Sequence, residues 1–270
     1  MPELPEVEII VRQLNKVLRG MVIERVEVLR EKSFKGEIKE LVGRKIKKVG
    51  RKSKMMVMEF MELKKVVLIH LKMTGQLIYI DSRLRGNDEE EMRIVGGHPT
   101  ADWVNELPSK HTRVIIYFKN GSRLFFNDMR AFGWMKIGDV PRLPPDVVDK
   151  EFTLQLFKEL VSGSKRAIKL VLMDQKKIGG VGNIYANDGL FLAKIDPKKM
   201  ASSLDNNEIE RLHKAIKKVI NKGILLAGKY QNYFLVYGRE GEKCKKCKGK
   251  IEKFKLSGRG TYWCPNCQMG

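Results

Sequence analysis

The sequence has few cysteines, few acidic residues beside its basic ones, and no long apolar run. All four cysteines lie in the last 27 of its 270 residues, which excludes a disulfide framework spread through the chain. No apolar N-terminal signal and no stretch long enough to cross a bilayer occurs, so we expect a soluble intracellular protein without membrane contact. In a reducing compartment, clustered cysteines favour a metal site.

Acidic residues are scarce: 32 Asp and Glu stand against 53 Lys and Arg, for a formal net charge of +21. Such an excess suits a polyanionic partner, most simply nucleic acid. A ribosomal or other RNA-binding protein would carry the same charge, so charge indicates the partner and not the activity. The length allows two domains, or one domain with an appendage.

The N-terminal octamer, Met-Pro-Glu-Leu-Pro-Glu-Val-Glu, contains a candidate nucleophile. Removal of Met1 would leave Pro2 as a terminal secondary amine, which can attack an aldehyde-like carbon and form an iminium ion. A terminal amine has an ordinary pKa of about 7.7–8.0, against about 10.4 for lysine, so it is more often neutral near pH 7. Glu3 beside it can exchange protons at the same centre.

A helix is predicted directly after this pair. Pro5 suits the first helical turn, and Gly20 marks the end. Apolar residues recur between them at helical spacing: Val7, Ile10, Val11, Leu14, Val17 and Leu18. The helix would anchor Pro2 and Glu3 on a core, although an ordinary capped first helix would show the same pattern.

Short β-rich runs follow, and Lys119 to Ser122 is a hairpin turn signal. The runs are 22–29, 55–60, 66–71, 77–80, 113–118 and 123–126. We therefore predict a β-sandwich or barrel-like domain over 1–137 that carries one helix. Residues 81–108, polar and partly acidic, are expected to form a surface loop. Residues 138–150 contain three prolines and are predicted to be a linker.

From residue 151 the periodicity becomes helical, which predicts a helical domain over 151–235. Candidate helices cover 151–161, 165–175, about 182–193 and 205–222, with Asp205 as the N-cap of the last. The segment Gly179-Gly180-Val181-Gly182-Asn183 precedes the third. Its glycines would let backbone approach a phosphate at a helix N-terminus, and an ordinary turn between helices is the alternative.

The last 35 residues, 236–270, contain Cys244-x2-Cys247 and Cys264-x2-Cys267, sixteen residues apart. Four thiolates at this spacing predict one structural Zn²⁺ in a closed tetrahedral site, with disulfide pairing as the alternative. Residues 250–255 and 260–263 would form a hairpin on the metal. Arg259, between two glycines, would lie at its tip.

Three motifs resemble the formamidopyrimidine-DNA glycosylases, base-excision repair enzymes that use the terminal proline as nucleophile. They are the N-terminal octamer, Gly-Gly-Val-Gly-Asn-Ile-Tyr-Ala, and Gly-Arg-Gly-Thr-Tyr-Trp-Cys-Pro-x-Cys-Gln, in family order. The resemblance implies an α+β fold: an N-terminal β-sandwich with a long helix, a helix–two-turn–helix domain and a C-terminal zinc-finger β-hairpin. It also implies a monomer acting on damaged or abasic double-stranded DNA in the bacterial cytoplasm, at the nucleoid.

The resemblance implies roles for ten side chains besides the cysteines. Pro2, Glu3, Lys54 and Arg259 would be catalytic, with Lys54 taking part in elimination and Arg259 gripping phosphates. DNA-binding residues would be Met73, Arg130 and Phe132, which fill the space of a flipped base, and His111, Lys165 and Asn183. From the residues alone, simpler alternatives stay open: a solvated lysine for Lys54, core or turn packing for Met73, a loop salt bridge for Arg130, a buried ring for Phe132 and a half-buried strand-edge histidine for His111.

The implied function is a glycosylase/AP lyase for oxidised purines. Two alternatives stay open: an endonuclease VIII-like preference for oxidised pyrimidines, and a non-catalytic zinc-containing DNA-binding protein. The stretch Gly223 to Tyr233 is shorter and more apolar than the Ser/Thr- and Gly-rich loop that many family members have there. Lesion preference is therefore the least constrained part of the expectation.

Overall fold

The structure is a computed structural model that describes residues 2–81, 92–97, 107–226 and 229–269. The chain divides into two compact units, Met1–Pro2 with Glu6–Arg142 and Glu3–Pro5 with Leu143–Gly270. The boundary at 142/143 falls inside the predicted linker. Among the described residues, no helix is long and apolar enough to cross a membrane.

The first unit contains two five-stranded sheets and helix α1 (Leu4–Leu18) from Glu6 onward. One sheet has the order β1-β8-β9-β6-β7 and the other β2-β10-β5-β4-β3. The strands are β1 (Ile23–Val28), β2 (Phe34–Lys35), β3 (Ile46–Lys52), β4 (Met55–Phe60), β5 (Leu63–His70), β6 (Gly75–Asp81), β7 (Met92–Gly97), β8 (Thr112–Phe118), β9 (Arg123–Asp128) and β10 (Trp134–Gly138). Short 3-10 turns cover Glu31–Ser33 and Ile38–Glu40.

One apolar core lies between the sheets and α1. Alternate strand residues face it, so Leu77 and Tyr79 of β6 join the core while Ile78 lies on the other face. The helix contributes the buried side chains that its spacing predicted: Val7, Ile10, Val11, Leu14 and Leu18, with Val17 partly buried. The predicted β-sandwich with one long helix is confirmed.

Several elements of this unit were not predicted. The expectation of a surface loop over 81–108 is wrong for Met92–Gly97, which pairs antiparallel with β6 along its length. Residues 92–97 form a strand because their backbone pairs with β6, although the sequence around them is polar. Residues 82–91 and 98–106 lie outside the described residues. Strand β3 was missed because four of its seven residues are basic. It is an edge strand, and the Val49 N–H donates to Asn15 Oδ1 of α1 at 2.8 Å.

The second unit begins with four helices: α2 (Leu154–Ser162), α3 (Ile168–Leu172), α4 (Asn183–Ala193) and α5 (Asn206–Leu225). Asp205 caps α5 in a capping box with Glu208, as its position predicted. The prediction of a helix over 165–175 is too long. Residues 166 and 168 instead form backbone hydrogen bonds with residues 201 and 199, which hold this stretch extended before α3 starts.

The hairpin consists of β11 (Glu252–Leu256) and β12 (Arg259–Trp263), followed by the short helix α6 (Pro265–Gln268). A separate apolar cluster supports it, made of five buried residues: Phe191, Val236, Cys244, Ile251 and Cys264. Two of the five are cysteines. So small a core does not stabilise a hairpin without a metal.

Candidate active site

Pro2 and Glu3 are both buried, and the Glu3 side chain is held by the start of α4. Its carboxylate, in a residue 2% exposed, accepts hydrogen bonds from the backbone N–H groups of Ile184 (2.9 Å) and Tyr185 (3.5 Å). N–H groups in the first helical turn have no partner within the helix and carry partial positive charge, so they stabilise a carboxylate. The Glu3 carboxylate, predicted to be the acid, is therefore held in place by backbone N–H groups.

The glycine-rich turn before α4 makes room for the N-terminal segment. A Cβ atom at Gly182 would overlap the Glu3 carboxylate, and one at Gly180 would overlap the Leu4 side chain. Gly180 also has a φ of +87°, which favours glycine. Two glycines of the motif thus permit the close approach of Glu3 and Leu4. Neither sequence interpretation of this turn, as phosphate site or as plain turn, included that role.

Lys54 lies in the tight turn between β3 and β4, directly before a strand as predicted. It is buried, and Ser53 before it has a left-handed φ of 55°. The Arg51 guanidinium supports the turn by donating to the Ser53 carbonyl at 2.9 Å. Lysines are seldom buried. Lys54 is therefore not the solvated side chain that composition alone favoured, and its catalytic role stays a prediction.

His70, at the end of β5, was not singled out from the sequence. Its Nδ1 accepts the backbone N–H of Lys72 at 3.0 Å, which places the proton of the neutral ring on Nε2. Burial, followed by the positive charges of Lys72 and Lys54, lowers the pKa of His70 to about 4. The ring is therefore neutral near pH 7 and adds no third cation beside the two lysines.

Met73, Arg130 and Phe132 all project from loops at strand ends. Met73 is 40% exposed and Phe132 57% exposed, so neither is the core residue that the simpler alternatives supposed. The Arg130 guanidinium carbon lies 5.0 Å from the Phe132 ring centroid. The structure thus brings the cation and the ring together on the surface, where they are available to a ligand.

Asp128, at the end of β9, ties these loops together. The Thr74 hydroxyl donates to one carboxylate oxygen of Asp128, and the Gly133 N–H donates to the other at 2.6 Å. The Arg130 N–H in turn donates to Thr74 Oγ1 at 3.1 Å. Asp128 and Thr74 are buried. One carboxylate therefore sets the turn that follows Met73 and the loop from Arg130 to Gly133, a role that the sequence did not reveal.

His111 is half-buried immediately before β8. Its backbone N–H donates to Ser109 Oγ at 3.1 Å, and its carbonyl accepts the Asp128 N–H at 2.9 Å. The location matches the strand-edge histidine that the residues alone allowed. A DNA contact by this side chain stays a prediction.

Two lysines near α3 differ sharply in environment. Lys165, the predicted DNA-binding lysine, is exposed before the helix. Lys169, which the sequence did not single out, has no exposed surface; its Nζ donates to the Gly260 carbonyl (2.9 Å) and to Thr261 Oγ1 (2.8 Å). Burial lowers the pKa of Lys169 to about 7. A buried amine thus joins α3 to the hairpin.

Asn183 and Arg259 meet the same part of the hairpin. Asn183 is the first residue of α4, and its Nδ2 donates to the Gly260 carbonyl at 3.1 Å. Arg259 is exposed and opens β12 after the two left-handed residues Ser257 and Gly258. Two such residues form the tight turn typical of two-residue hairpins. The predicted position of Arg259 at the tip matches the structure.

The stretch 223–233 contains less loop than the sequence suggested. Gly223 to Leu225 continue α5, and Lys229–Tyr233 form a 3-10 helix; residues 227 and 228 lie outside the described residues. Tyr230 is buried, stacks on Tyr185 at 5.1 Å between ring centroids, and donates to Asp188 at 3.0 Å. The Tyr230 hydroxyl is therefore already used within the protein, while Gln231, Asn232 and Tyr233 are exposed.

Asp188 of α4 fastens the chain that leads into the hairpin. Its two carboxylate oxygens accept the backbone N–H groups of Leu235, Val236 and Tyr237 at 2.9–3.1 Å, besides the Tyr230 hydroxyl. Burial raises the pKa of Asp188, while these donors oppose the shift. The second unit therefore fixes the entry to the hairpin through one buried side chain.

The four cysteine sulfurs form one cluster in which all lie within 4.8 Å of one another. Cys247 Sγ lies 3.4 Å from Cys264 Sγ, and Cys244 Sγ lies 3.9 Å from Cys267 Sγ. Four thiolates at about 2.3 Å from a tetrahedral Zn²⁺ would be about 3.8 Å apart. The cluster therefore fits a zinc ion, and no pair is at disulfide distance.

The chain combines a β-sandwich, a buried proline–glutamate pair, a helical unit and a four-thiolate hairpin with a net charge of +21. Together these features are typical of a zinc-finger enzyme that acts on nucleic acid. Three family models match this chain. They are the formamidopyrimidine-DNA glycosylase N-terminal domain over 1–135, the H2TH domain of the same enzymes over 143–233, and the zinc finger found in FPG and IleRS over 241–268. The chain belongs to the formamidopyrimidine-DNA glycosylase family.

Individual relatives agree over the full length. The formamidopyrimidine-DNA glycosylase of Desulforamulus reducens is 37% identical and the one of Listeria monocytogenes 34% identical, each over 99% of this chain and 99–100% of the relative. The Lactococcus lactis enzyme bound non-covalently to DNA with an AP site superimposes with a TM-score of 0.85 at 30% identity, covering 100% of both chains. The hairpin is thus a zinc finger, and the expected fold is confirmed.

Proposed function

We propose that this enzyme excises oxidised purines from duplex DNA and then cuts the strand, with Pro2 as its nucleophile. The family consists of DNA glycosylases with AP lyase activity in base-excision repair, and the match extends along the whole chain. The observation that carries the residue assignment is the Glu3 carboxylate, buried next to Pro2 and fixed by two N–H groups of α4. The arrangement supports this assignment because the acid is held next to the residue that becomes a terminal amine once Met1 is removed.

The chemistry follows from those two groups. Once Met1 is removed, the neutral amine of Pro2 attacks C1′ of the damaged nucleotide, and the base leaves with the electrons of the glycosidic bond. Glu3 exchanges the protons that this step requires. The sugar ring then opens at the C1′–O4′ bond, with a proton delivered to O4′, which leaves an iminium between Pro2 and C1′. This iminium acidifies the 2′ hydrogen, so its removal expels the 3′ phosphate, and a second elimination expels the 5′ phosphate. Lys54 assists these eliminations.

The exposed loops of the first unit provide for base flipping. Turning a base out of the stack costs a few kcal/mol. An apolar wedge and a hydrogen-bonding guanidinium inserted into the gap offset part of that cost. Met73, Phe132 and Arg130 have this chemistry and are exposed on loops that Asp128 holds.

DNA is the partner that the solved relatives support: the Lactococcus lactis enzyme has also been solved with DNA containing FAPY-dG, at TM-score 0.84, 30% identity and 99% and 100% coverage of the two chains. In this chain, Arg259, Lys165, His111 and Asn183 are proposed to contact the backbone. Contacts to phosphate position a protein and make its binding dependent on salt.

The test is cleavage of duplex oligonucleotides carrying an abasic site or a formamidopyrimidine. The enzyme is expected to leave phosphate on both ends of the gap, and Glu3→Gln to lose base excision. Glu24→Gln, an exposed acid on β1, is the matched control and should behave as the parent does. Intact strands with the parent enzyme would contradict the proposal and favour the non-catalytic alternative.

One observation favours a second candidate, an endonuclease VIII-like preference for oxidised pyrimidines. Ile224 to Leu226 are apolar and Tyr230 already donates to Asp188, so this part of the stretch 223–233 offers few donors to an oxidised purine. Rates on thymine glycol and formamidopyrimidine duplexes separate the two candidates. Faster excision of thymine glycol would support the second.

A further inference from the structure

Strand β12 is attached to two helices immediately after Arg259. The Gly260 carbonyl accepts from Lys169 Nζ of α3 at 2.9 Å and from Asn183 Nδ2 of α4 at 3.1 Å. A carbonyl with two side-chain donors is fixed in two directions. The backbone next to Arg259 is therefore held by the helices, while the Arg259 side chain itself is exposed.

Thr261 completes this attachment. It has no exposed surface, and its Oγ1 accepts from Lys169 Nζ at 2.8 Å and donates to the Arg259 carbonyl at 3.3 Å. A single hydroxyl thus joins a buried amine on α3 to the backbone of the exposed arginine. Valine has the same shape as threonine but no hydroxyl, so it would form neither of these hydrogen bonds.

Losing these hydrogen-bond partners would be energetically costly for the Lys169 amine. Lys169 is fully buried, and a buried cation is costly unless its donors are paired. If the Thr261 hydroxyl were lost, one donor would lose its acceptor in the interior. The lysine side chain would then move or lose its proton, and the Gly260 carbonyl that it also binds would no longer be fixed.

The described residues of the other strand have no comparable buried polar anchor. Lys253 and Lys255 of β11 are exposed, and the Lys253–Glu240 ion pair (2.9 Å) lies at the surface. Exposed ion pairs contribute little because water and salt screen them. The direction in which the hairpin tip presents its arginine is therefore set through β12.

We propose that Thr261 is a positioning residue for Arg259, which aligns the arginine for the DNA backbone by linking its carbonyl to Lys169. The inference rests on the proposed role of Arg259 in gripping phosphates. Thr261 has no exposed surface, so it acts through the strand that it fixes and not on the substrate directly. Its hydroxyl is the required group, so serine in its place retains the function and valine does not.

The experiment is a double-mutant cycle on the zinc-loaded, full-length enzyme, with Thr261→Val, Arg259→Ala and the double variant, and with Thr261→Ser as control. The probe is a duplex with a tetrahydrofuran abasic analogue, and Kd is measured at fixed salt. Thr261→Val is expected to weaken binding about ten-fold, the loss of one hydrogen bond to a charged group. Thr261→Ser should bind as the parent does, and Thr261→Val should add little once Arg259 is alanine.

The outcomes are distinguishable. If Thr261→Val is silent while Arg259→Ala weakens binding, the inference fails and the proposed function stands. If Arg259→Ala is silent, the proposed role of Arg259 fails and the inference with it. An equal effect of Thr261→Val with and without Arg259 would show a structural role and overturn the inference. If Thr261→Val loses zinc, Thr261→Ala is tested in its place. Loss of zinc in both variants would also overturn the inference.

Discussion

The first unit and the hairpin of the second unit hold their proposed DNA-binding side chains by different means. In the first, Met73, Arg130 and Phe132 are exposed on loops, and Asp128 fixes those loops above a large apolar core. The hairpin has an apolar cluster of five residues, so it depends on four thiolates. Where the apolar core is large, one carboxylate is enough to order a loop. Where the core is small, as in the hairpin, a metal is needed to stabilise the fold.

Metal removal should separate the two regions most strongly. Chelation, or Cys264→Ser, is expected to unfold the hairpin because its core cannot sustain it alone. Specific binding to abasic DNA should then fall about 1,000-fold or more, to the non-specific level. Limited proteolysis with mass spectrometry should find new cuts in 239–269 and none in the first unit. Cuts spread through both units, or unchanged binding, would contradict the comparison.

Gly182→Ala tests the fixed position of Glu3. A methyl group there would overlap the Glu3 carboxylate and displace it from the N–H groups of α4. A displacement of about 1 Å can cost about 100-fold in rate, and we expect a loss of that size in single-turnover base excision. Gly163→Ala is the matched control, because a Cβ there meets no atom within 4 Å. Parent-like excision by Gly182→Ala would show that the carboxylate position is unimportant.

Asp128→Asn tests the loops of the first unit. The amide keeps one acceptor oxygen but turns an NH₂ group toward either the Thr74 hydroxyl or the Gly133 N–H. Losing one buried hydrogen bond to a charged acceptor costs about 1.5–3 kcal/mol, so excision should slow about ten-fold or more. Asp139→Asn, an exposed acid, is the control. Zinc content should not change, and an unaltered rate would remove Asp128 from the account.

The smallest expected effect concerns lesion preference. Ile224 to Leu226 are apolar and Tyr230 already donates to Asp188, so we expect this part of the stretch 223–233 to offer few donors to a base. Absence of one good hydrogen bond to 8-oxoguanine costs about 1–3 kcal/mol, so this base should leave about ten-fold more slowly than formamidopyrimidine. Single-turnover rates on matched duplexes opposite dC measure the ratio, with abasic-site cleavage as reference. Equal rates would show that the short stretch is no handicap.

Local patterns were sufficient for much of the fold. The period of α1 predicted its buried face, Asp205 predicted the start of α5, and the cysteine spacing predicted the zinc cluster. Each of these signals depends on residues close together in the chain. Strand β7 and the short length of α3 depend instead on pairing with distant segments, which a local pattern does not contain.

The same division applies to the site. Motif residues such as Arg259 and Asn183 were found because they lie in recognisable segments, and their roles remain predictions. The residues that hold the loops and the hairpin in place, Asp128, Lys169 and Thr261, were missed because a buried polar side chain looks like any surface one until its partners are known. The glycines before α4 were noticed, yet their relation to Glu3 spans about 180 residues.

The central claim is that Pro2 is the nucleophile, and the most direct measurement locates the covalent bond. The enzyme is incubated with an abasic-site duplex and borohydride, which reduces the iminium to a stable amine, and the adduct is digested and sequenced by mass spectrometry. The account predicts protein lacking Met1, with the DNA remnant on the nitrogen of Pro2. A stable adduct on Lys54 with Pro2 unmodified would contradict it.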